Sequence, residues 1–558
     1  MVVDPTRTGL NLVLAKGENR LGKMNEILLR NRVKTHAWSS DISKMYNQLQ
    51  LNESSYPYSL FLYEESLDSK VEPHVWVMLV AWYGVVPTGN QAGYSIEKLA
   101  NEADESFKSA KPTLLNDRFV DDLATGARSE EARGAQIQQC SDLLASGGFS
   151  LKFVAKSGED PCEKASSNGE SLKMLGYKWT PREDTLSPGI SEMNFNKKIR
   201  GSKKPNVKPV VTKEDASDLM GAVTLTRKKV ASKVAEIYDP IGIWEPLKLQ
   251  FKLELSALNH LGWDETLDEG DQVKWKSHLL QLIDIPELQV DRCVIPKGAV
   301  LESGARLICL SDAAEHAGGV AIYISFKLQD GTYSSRLLTA KSKLMNATIP
   351  RNELSAIMLM TEIAYITVKA LDDLVSEVIY ITDSTIALSW CHNVNKKLRV
   401  YVHSRVTSIR RMIEWTTGEV EELPLYHIDG KMNIADLLTK KHSIKVADLA
   451  NQSEWQAGLP WMLLSTDNMP LMQYSDLKLD NSNQTEMVKE CYQEPFNFHV
   501  ADSSNLDIGL DCPQGCYSTA EDVYVDALEI VTSVELDHAS SKNTEGPVHV
   551  AKPTSGNK

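Results

Sequence analysis

The sequence predicts a multidomain chain that combines α/β and α+β domains. The chain has 558 residues, which is more than one compact domain usually holds. Residues 301–445 alternate strand-like and helix-like patterns in the order βββαβαβα, which is typical of a layered α/β domain. Residues 10–186 also alternate the two patterns, and the segments outside these two regions differ from both in composition.

Three patterns stand out within residues 10–186. The run from Val75 to Tyr83 is almost continuously apolar, which predicts a buried strand or helix. Residues 138–146 predict an amphipathic helix that ends at a pair of glycines. Residues 149–154 alternate apolar and polar side chains, as a strand does.

Two segments connect or follow the predicted domains. Residues 194–212 are basic and contain Pro and Gly, which predicts a linker, and the periodicity of residues 227–285 is mainly helical. Beyond residue 461 the chain is polar and acidic, so we expect little packed structure there.

The second alternating region starts near residue 300. The predicted strands are 306–311, 319–325, 335–339, 377–382 and 424–427, and the predicted helices are 352–371 and 397–415. Ser384 is a candidate N-cap for a helix that follows the fourth strand, and a last helix is expected near Asp436.

Composition excludes several classes of protein. With 42% hydrophobic and 24% charged residues, disorder is not the main state. No apolar run is long enough for a membrane span, and no signal peptide is visible, so we expect no membrane partner and a cytoplasmic or nuclear location. The eight cysteines are too dispersed for a disulfide framework.

Charge is distributed unevenly. The net charge is −15, and the segment from Leu471 to the end holds 15 acidic but only 5 basic residues. Basic residues are concentrated between Lys197 and Lys229. That stretch is either a solvated linker or a track for a phosphate backbone.

Two adjacent carboxylates in an apolar segment form the first candidate site. Asp121 and Asp122 are flanked by Phe119, Val120 and Leu123. Adjacent acids in apolar surroundings are costly unless a cation neutralises them. Asp41 would complete a site for divalent cations, which prefer carboxylate oxygens and bridge phosphates. The alternative is an exposed acidic turn.

Four later carboxylates form the second candidate site. Asp312 and Asp383 follow strands, Glu353 opens a long helix, and Asp436 lies on the last helix. Strand ends gather functional side chains at one edge of a sheet, and gathered carboxylates can hold two Mg²⁺ ions and orient water for attack on a phosphodiester. The alternative is that each acid is a helix cap or a surface residue.

Five short blocks occur in the order found in one family of polymerases. They begin at Asp41, Tyr83, Asn116, Gly147 and Met174. The series resembles motifs A to E in the reverse transcriptase of BEL/Pao-type LTR retrotransposons. The resemblance implies a reverse-transcriptase palm.

The resemblance implies a role for each residue of the first site. Two Mg²⁺ ions, or Mn²⁺ as an alternative, would be held by Asp41, Asp121 and Asp122. Tyr46 would be the steric gate that favours dNTPs, and Gly89 would let the backbone approach template and nucleotide. Lys152 would protonate pyrophosphate. The alternatives are a core aromatic for Tyr46 and a surface lysine for Lys152.

This sequence departs from the family pattern at three places. Phe119 replaces the tyrosine of the usual Tyr-x-Asp-Asp box, and Thr88 stands where many reverse transcriptases have glutamine. The chain begins 40 residues before Asp41, so the strands that supply basic residues to the dNTP triphosphate are largely missing. We therefore expect impaired polymerase activity.

The second site resembles the ribonuclease H domain of the same retroelements. This implies two Mg²⁺ ions held by Asp312, Glu353, Asp383 and Asp436. Asn433-Ile-Ala-Asp436 stands for the more common Asn-Pro-Ala-Asp, and Asp429 is the second choice for the fourth ligand. His427 either assists product release or packs as a strand residue. The candidate contacts to the backbone of an RNA/DNA hybrid are Arg399, Arg405, Arg410 and Arg411.

The segment from Arg227 to Pro246 resembles a block that protein-family naming assigns to a Pao retrotransposon peptidase. An aspartic peptidase needs an Asp-Thr/Ser-Gly triplet, and the sequence contains none. Asp383-Ser-Thr385 lacks the glycine. We therefore interpret the block as a helical thumb and connection.

Four domains follow from these patterns. They are a palm with truncated fingers (1–195), a thumb and connection (196–300), a ribonuclease H-like domain (301–445) and an acidic, partly disordered tail (446–558). The expected function is an RNA-directed DNA polymerase with ribonuclease H activity. The expected partners are an RNA template, a DNA primer, an RNA/DNA hybrid, dNTPs and other parts of a pol polyprotein, with a virus-like particle as one cytoplasmic location. The alternatives are a non-catalytic nucleic-acid-binding relic and an aspartic peptidase.

Overall fold

The first sheet has four antiparallel strands in the order β4-β5-β1-β6. The computed structural model describes residues 5–7, 9–63, 74–166, 169–189, 213–282, 288–393, 397–418, 422–439, 444–478 and 481–491. The strands before residue 160 are β1 (His36–Ile42), β2 (Leu60–Tyr63), β3 (His74–Val77), β4 (Arg118–Phe119), β5 (Asp122–Ala127) and β6 (Leu151–Lys156). The helices are α1 (Leu10–Val13), α2 (Met24–Arg32), α3 (Thr88–Glu102), α4 (Ala110–Asn116) and α5 (Glu130–Ser146).

One face of this sheet is the core face, and the other carries acidic residues. Trp38 and Ile42 of β1 pack with Leu123 of β5 and with apolar residues of α3, α4 and α5. Alternate residues of a strand point to opposite faces, so Asp41 points away from that core. Asp41 pairs directly with Asp122 across the two strands, so both carboxylates lie on the same open face.

The apolar run from Val75 to Tyr83 does not form the buried element predicted from the sequence. Its first residues form β3, which pairs only with β2 within the described residues, and all four residues of β3 are exposed. An apolar composition favours burial of such a run, but it does not determine which part of the protein would cover it. The predicted helix and strand that follow are confirmed as the end of α5 and as β6.

The second sheet collects strands from both sides of the predicted boundary at residue 195. Its order is β10-β9-β8-β7, and every pair is antiparallel. The strands are β7 (Leu172–Met174), β8 (Tyr177–Thr180), β9 (Thr185–Pro188) and β10 (Val290–Asp291). The helices between β9 and β10 are α6 (Lys213–Ala222), α7 (Arg227–Ala235), α8 (Glu245–Ala257) and α9 (Glu269–Gln281). The predicted linker at 194–212 lies outside the described residues.

The third sheet has five strands in the order β13-β12-β11-β14-β15. The strands are β11 (Ala305–Ala313), β12 (Ala317–Lys327), β13 (Tyr333–Leu344), β14 (Val375–Thr382) and β15 (Leu425–His427). The first three strands are antiparallel, whereas β14 is parallel to both β11 and β15. The helices are α10 (Ile349–Leu371), α11 (Thr385–His392) and α12 (Val400–Thr417).

The predicted elements of this α/β region are confirmed, with two adjustments. Ser384 caps α11, because its hydroxyl accepts a hydrogen bond from Ala387 N. The helix capped by Ser384 and the helix predicted at 397–415 both lie between β14 and β15, whereas the order βββαβαβα has one helix there. The last predicted helix is a 3₁₀ turn over Ile434–Leu438.

The α10 helix is the central packing element of this region. Among the described residues, the stretch Ile349–Leu374 is the one helical segment with the length and hydropathy of a membrane span. However, 67% of its most apolar window is buried inside the protein. The helix packs on β11 and β12, so its apolar residues serve the core of the α/β region.

Residues 444–491 are not the poorly structured tail that the sequence predicts. They form several 3₁₀ turns and two helices, α13 (Glu454–Ala457) and α14 (Asn481–Lys489). Trp455, Trp461 and Met462 are almost fully buried. The anchors are widely spaced and follow no helix or strand period, so periodicity does not reveal them. Residues 492–558 lie outside the described part of the chain.

The first and third sheets are joined by buried arginines. The guanidinium of Arg32, at the end of α2, donates to Leu337 O at 2.8 Å and Leu338 O at 3.0 Å in β13. Arg292, beside β10, donates to Lys34 O at 2.8 Å and forms an ion pair with Asp184 at 2.6 Å. Residues 1–492 therefore form one compact unit.

Candidate active sites

A tight hairpin places Asp121 and Asp122 beside Asp41. Phe119 of β4 pairs with Asp122 of β5, so Val120 and Asp121 form a two-residue turn. Val120 has φ of 55°, in the left-handed region that such turns require. Arg118 NH1 donates to Val120 O at 2.8 Å, and Asp121 O accepts from Ile42 N at 2.8 Å.

The three carboxylates converge on one point. One ligand oxygen from each of Asp41, Asp121 and Asp122 lies within 4.8 Å of the others. Burial, then the charges of Asp121 and Asp41, raises the pKa of Asp122 to about 6. Burial also raises the pKa of Asp121, and Asp41 adds to that increase. Burial first, and the neighbouring like charges second, therefore disfavour the ionised form of these two carboxyl groups.

Tyr46 and Gly89 lie next to each other near these carboxylates. The Tyr46 ring makes an edge-to-face contact with Tyr83, with 5.1 Å between ring centroids. A Cβ atom at Gly89 would lie 3.9 Å from the Tyr46 hydroxyl. Burial, followed by the charge of Asp121, raises the pKa of Tyr46. The structure thus brings both residues together with the carboxylates.

Lys152 is in direct contact with the carboxylate cluster. Its Nζ lies 2.9 Å from Asp41 Oδ2, and its side chain is 54% exposed. The hydrogen bond to Asp41 raises the pKa of Lys152. This ammonium group is the nearest positive charge that the described residues supply to Asp41.

The carboxylates of the second candidate site also approach one another. Asp312 lies near the end of β11, Glu353 lies on the first turns of α10, and Asp383 follows β14. Burial, then Asp383 and Asp436, raises the pKa of Asp312 to about 7. Burial, then the charges of Asp383 and Asp312, raises the pKa of Glu353 to about 7, against the hydrogen bond from Ser384.

Asp436, not Asp429, is the fourth acid of this cluster. Its charge acts on both Asp312 and Asp383. Asp429 instead caps the next 3₁₀ turn by accepting from Lys431 N at 2.9 Å. His427 is half-buried and faces the backbone, with Nε2 3.1 Å from Asp383 O.

Three neutral side chains contact the acids of the second cluster, and the sequence did not predict these contacts. Ser384 Oγ donates to Glu353, Asn433 Nδ2 lies 3.2 Å from Asp383 Oδ1, and Thr439 Oγ1 lies 2.9 Å from Asp312 Oδ2. Asn433 was visible as part of the Asn-x-x-Asp pattern. Thr439 carried no signal, because a hydroxyl is recognised as functional only once its neighbour is known.

The predicted basic helix, α12, contains arginines in two different environments. Arg410 of α12 donates to Cys391 O at 2.8 Å and serves the local fold. Arg405 lies over the Tyr401 ring, 3.6 Å from its centroid, and Arg351 also lies over that ring at 4.7 Å. Arg351 and Glu353 are two residues apart on α10, so their side chains leave the helix in directions about 200° apart, and the stacked group lies on a different side of α10 from Glu353.

Both carboxylate sets suit hard divalent cations. All their ligand atoms are carboxylate oxygens, the type that Mg²⁺ and Mn²⁺ prefer. Asp41 Oδ1 is buried and has no hydrogen-bond partner among the described residues. A buried oxygen without a partner is costly, and a bound cation would remove that cost. Among the described residues, only Asp41, Asp121 and Asp122 have ligand oxygens that all lie within 4.8 Å of one another. The carboxylate oxygens of the second set are therefore farther apart.

Comparisons with solved structures find distant similarity to viral polymerases. The "foamy viral protease-reverse transcriptase dRH", in complex with double-stranded DNA, shows 12% identity and a TM-score of 0.41 over 75% of this chain and 60% of that chain. The foamy viral protease–reverse transcriptase with an RNA/DNA hybrid shows 11% identity and a TM-score of 0.43 over 80% of this chain and 50% of that one. This chain thus spans 50–60% of the length of these relatives. No curated protein matches this chain.

A family model does match the centre of the chain. Residues 226–384 match the family described as "Pao retrotransposon-like RNaseH-like domain". The match contains Asp312, Glu353 and Asp383, and it begins in the helices that precede the third sheet. The description names a ribonuclease H-like domain where a peptidase name had been expected. The predicted resemblance to BEL/Pao-type retrotransposons is therefore confirmed over residues 226–384, which match a Pao retrotransposon-like RNaseH-like domain.

Proposed function

We propose that this chain hydrolyses the RNA strand of RNA/DNA hybrids at the second cluster and extends DNA primers on RNA at the first. The convergence of four carboxylates at the strand ends of a ribonuclease H-like sheet supports the hydrolase. The tight cluster of Asp41, Asp121 and Asp122 supports the polymerase.

At the first cluster, Asp41, Asp121 and Asp122 would hold divalent cations. Bound cations would neutralise phosphate charge and lower the pKa of the attacking hydroxyl. Tyr46 stands beside the cluster as a wall against which a nucleotide sugar would pack. Lys152 supplies an ammonium group that can move from Asp41 to a phosphate oxygen.

At the second cluster, Asp312, Glu353, Asp383 and Asp436 would hold the cations. The carboxylates bind and orient, while Arg405, which stacks on Tyr401, offers positive charge for the backbone of the hybrid. Arg351 lies over the same ring but is already paired with Glu490 at 2.8 Å. A requirement for RNA would come from reading of 2′-hydroxyl groups in the minor groove.

Reciprocal variants test the two activities separately. Asp121→Asn should abolish primer extension on an RNA template and leave hybrid cleavage intact, whereas Asp383→Asn should do the reverse. Asp330→Asn, on the exposed turn between β12 and β13, is the matched control and should change neither.

The outcomes discriminate the proposal from its alternatives. Hybrid cleavage without primer extension would limit the function to the second cluster. Hybrid binding without either reaction would support a non-catalytic relic. Cleavage of a polypeptide substrate that is lost in Asp383→Asn would support the peptidase.

A further inference from the structure

We propose that Thr439 and Asn433 are positioning residues that hold the carboxylates of Asp312 and Asp383 in place for divalent cations. The proposal rests on the proposed function of the second cluster and adds two residues to it. Neither side chain would touch the substrate. Each acts through the carboxylate that it contacts.

Thr439 completes the hydrogen bonding of Asp312. Its Oγ1 donates to Asp312 Oδ2 at 2.9 Å, and Ala313 N donates to Asp312 Oδ1 at 2.8 Å. Thr439 is 3% exposed and Asp312 is 8% exposed. With one donor on each oxygen, the carboxylate plane cannot rotate without losing a buried hydrogen bond. Thr439 Oγ1 also lies 3.1 Å from Asp436 O, but its single hydrogen favours the charged and closer acceptor.

Asn433 fixes Asp383 in a similar way. Its Nδ2 donates to Asp383 Oδ1 at 3.2 Å and to Ser311 O at 3.0 Å, so both amide hydrogens are used. Its Oδ1 accepts from Ala435 N at 3.2 Å. The other oxygen of Asp383 faces Gly430, where a Cβ atom would approach to 3.0 Å. The amide thus holds one oxygen of Asp383 and makes no hydrogen bond to the second.

One short element presents both positioning residues together with the fourth acid. Asn433 precedes the 3₁₀ turn Ile434–Leu438, Asp436 lies within it, and Thr439 follows it. These three residues are spaced by three, which is the period of a 3₁₀ helix, so they line one side of the turn. The same side faces the ends of β11 and β14, where Asp312 and Asp383 lie.

The chemistry of the two donors suits a cation site. A hydroxyl and an amide hold a carboxylate without cancelling its charge, so the acid remains available to a cation. The first cluster offers the contrast, because there the contact to Asp41 comes from the ammonium of Lys152. Groups that orient metal ligands in this way typically contribute 10- to 100-fold to metal affinity.

Thr439→Val tests the proposal, because it removes the hydroxyl and preserves the shape of the side chain. The variants are made in the full chain with Asp121→Asn, so that the first cluster contributes less to metal binding. Mn²⁺ binding is measured by titration calorimetry, and a thermal melt verifies folding. We expect Thr439→Val to weaken Mn²⁺ binding about tenfold or more. Thr439→Ser should restore binding to within about twofold, because it keeps the donor.

Thr332→Val is the matched control. Thr332 Oγ1 also donates to an aspartate, Asp330 Oδ1, at 2.6 Å, but on an exposed turn. This variant should bind Mn²⁺ like the parent. If Thr439→Val does not fold, Thr439→Ala replaces it, since alanine removes the hydroxyl without a methyl group against the carboxylate.

Calorimetry separates this proposal from the proposed function. A parent that binds Mn²⁺ but does not cleave hybrid would contradict the function and leave the positioning intact. A folded Thr439→Val that binds Mn²⁺ as the parent does, or a Thr439→Ser that fails to restore binding, would overturn the positioning. A parent that shows no Mn²⁺ binding at this cluster would overturn it as well.

Discussion

At the scale of single residues, one lysine supplies a counter-charge to the first cluster. Lys152 contacts Asp41 at 2.9 Å, at a place where a divalent cation would compete with its ammonium group. The side chain is more than half exposed, so the ion pair is worth at most about 1 kcal/mol. Lys152 therefore acts as a weak and replaceable counter-charge.

Removing this ammonium should strengthen cation binding. We expect Lys152→Met to tighten Mn²⁺ binding at the first cluster roughly two- to fivefold, the equivalent of an exposed ion pair. Titration calorimetry in an Asp383→Asn background measures the change. Lys156→Met is the control, because Lys156 lies on the same strand and pairs with Glu159. Weaker binding in Lys152→Met would contradict this role.

Some side-chain contacts in the two clusters could not be predicted from the sequence. The seven acids could be identified because their types and order match a family, and the structure places them in two groups. The sequence did not reveal Thr439, because threonine after a helix is common and its partner Asp312 is 127 residues away. The contact exists only because the 3₁₀ turn packs against the end of β11.

At the scale of elements, the hairpin between β4 and β5 carries strain beside the cluster. Val120 has positive φ, which a β-branched residue adopts at a cost of about 1–3 kcal/mol. The hydrogen bond from Arg118 to Val120 O helps to hold that conformation. Strain at this turn thus accompanies the placement of Asp121.

Asparagine tolerates the left-handed conformation better than alanine does. We expect Val120→Asn to unfold with a free energy about 1 kcal/mol larger than Val120→Ala. Comparing the two variants cancels the packing that both lose when valine is removed. Chemical denaturation measures the difference, and equal stabilities would show that the turn is not strained.

A buried ion cluster joins α8 to β13. Glu245 Oε1 accepts from Lys252 Nζ at 2.6 Å and from Ser342 N at 3.0 Å, and Lys248 lies 3.2 Å from Oε2. Burial raises the pKa of Glu245, but the charges of Lys248 and Lys252 outweigh burial and lower it to about 2. The carboxylate is therefore more acidic in the folded protein than in the unfolded chain.

This difference predicts acid lability of the protein. The stabilisation is fully present above pH 4.5, the ordinary range of a glutamate, and is lost as the pH falls toward 2. Its size is on the order of 3 kcal/mol. Denaturation at pH 2.5, 4 and 6 should show this loss in the parent and a flatter profile in Glu245→Gln. Parallel profiles for the two proteins would contradict the assignment.

Helices and strands could be predicted where the apolar residues recur with the period of an element that is buried on one face. The helix α10 has that pattern and its burial matches it, whereas β11 is buried at all nine residues, as its continuous apolar run from Leu307 to Leu310 indicates. The prediction failed for β3, where an apolar run remains exposed. It also failed for residues 444–491, where isolated apolar side chains such as Trp455 are buried without a regular sequence period.

At the scale of the whole molecule, the two candidate sites are parts of one compact unit. Arg32 ties the segment before the first sheet to β13 of the third sheet, and Arg292 ties β10 of the second sheet to the same segment, in both cases through backbone carbonyls. The predicted boundary at residue 195 could not foresee this, because β10 returns to pair with β9 after four intervening helices.

The buried arginine should couple the unfolding of the two sheets. We expect Arg32→Ala to destabilise the protein by about 3 kcal/mol, since buried carbonyl groups lose their donor. Intrinsic fluorescence and far-ultraviolet circular dichroism should then give separate denaturation midpoints. Arg182→Ala, which removes an exposed ion pair with Asp160, is the control and should leave the midpoints coincident.

The segment after the ribonuclease H-like sheet covers an edge of that sheet. Met472 and His427 exchange two backbone hydrogen bonds of 2.9 Å, so β15 has a partner on its outer side. Open sheet edges template pairing between chains. A chain that ends at the predicted boundary, residue 445, should therefore self-associate, and static light scattering beside the full chain would detect it. A monodisperse truncation would contradict this expectation.

The same pairing sets an order on biosynthesis. On the ribosome, every strand of the five-stranded sheet is made before Met472, so a nascent chain carries an open sheet edge until Met472 emerges. Emergence of Met472, rather than completion of the sheet, is then the event that covers this edge.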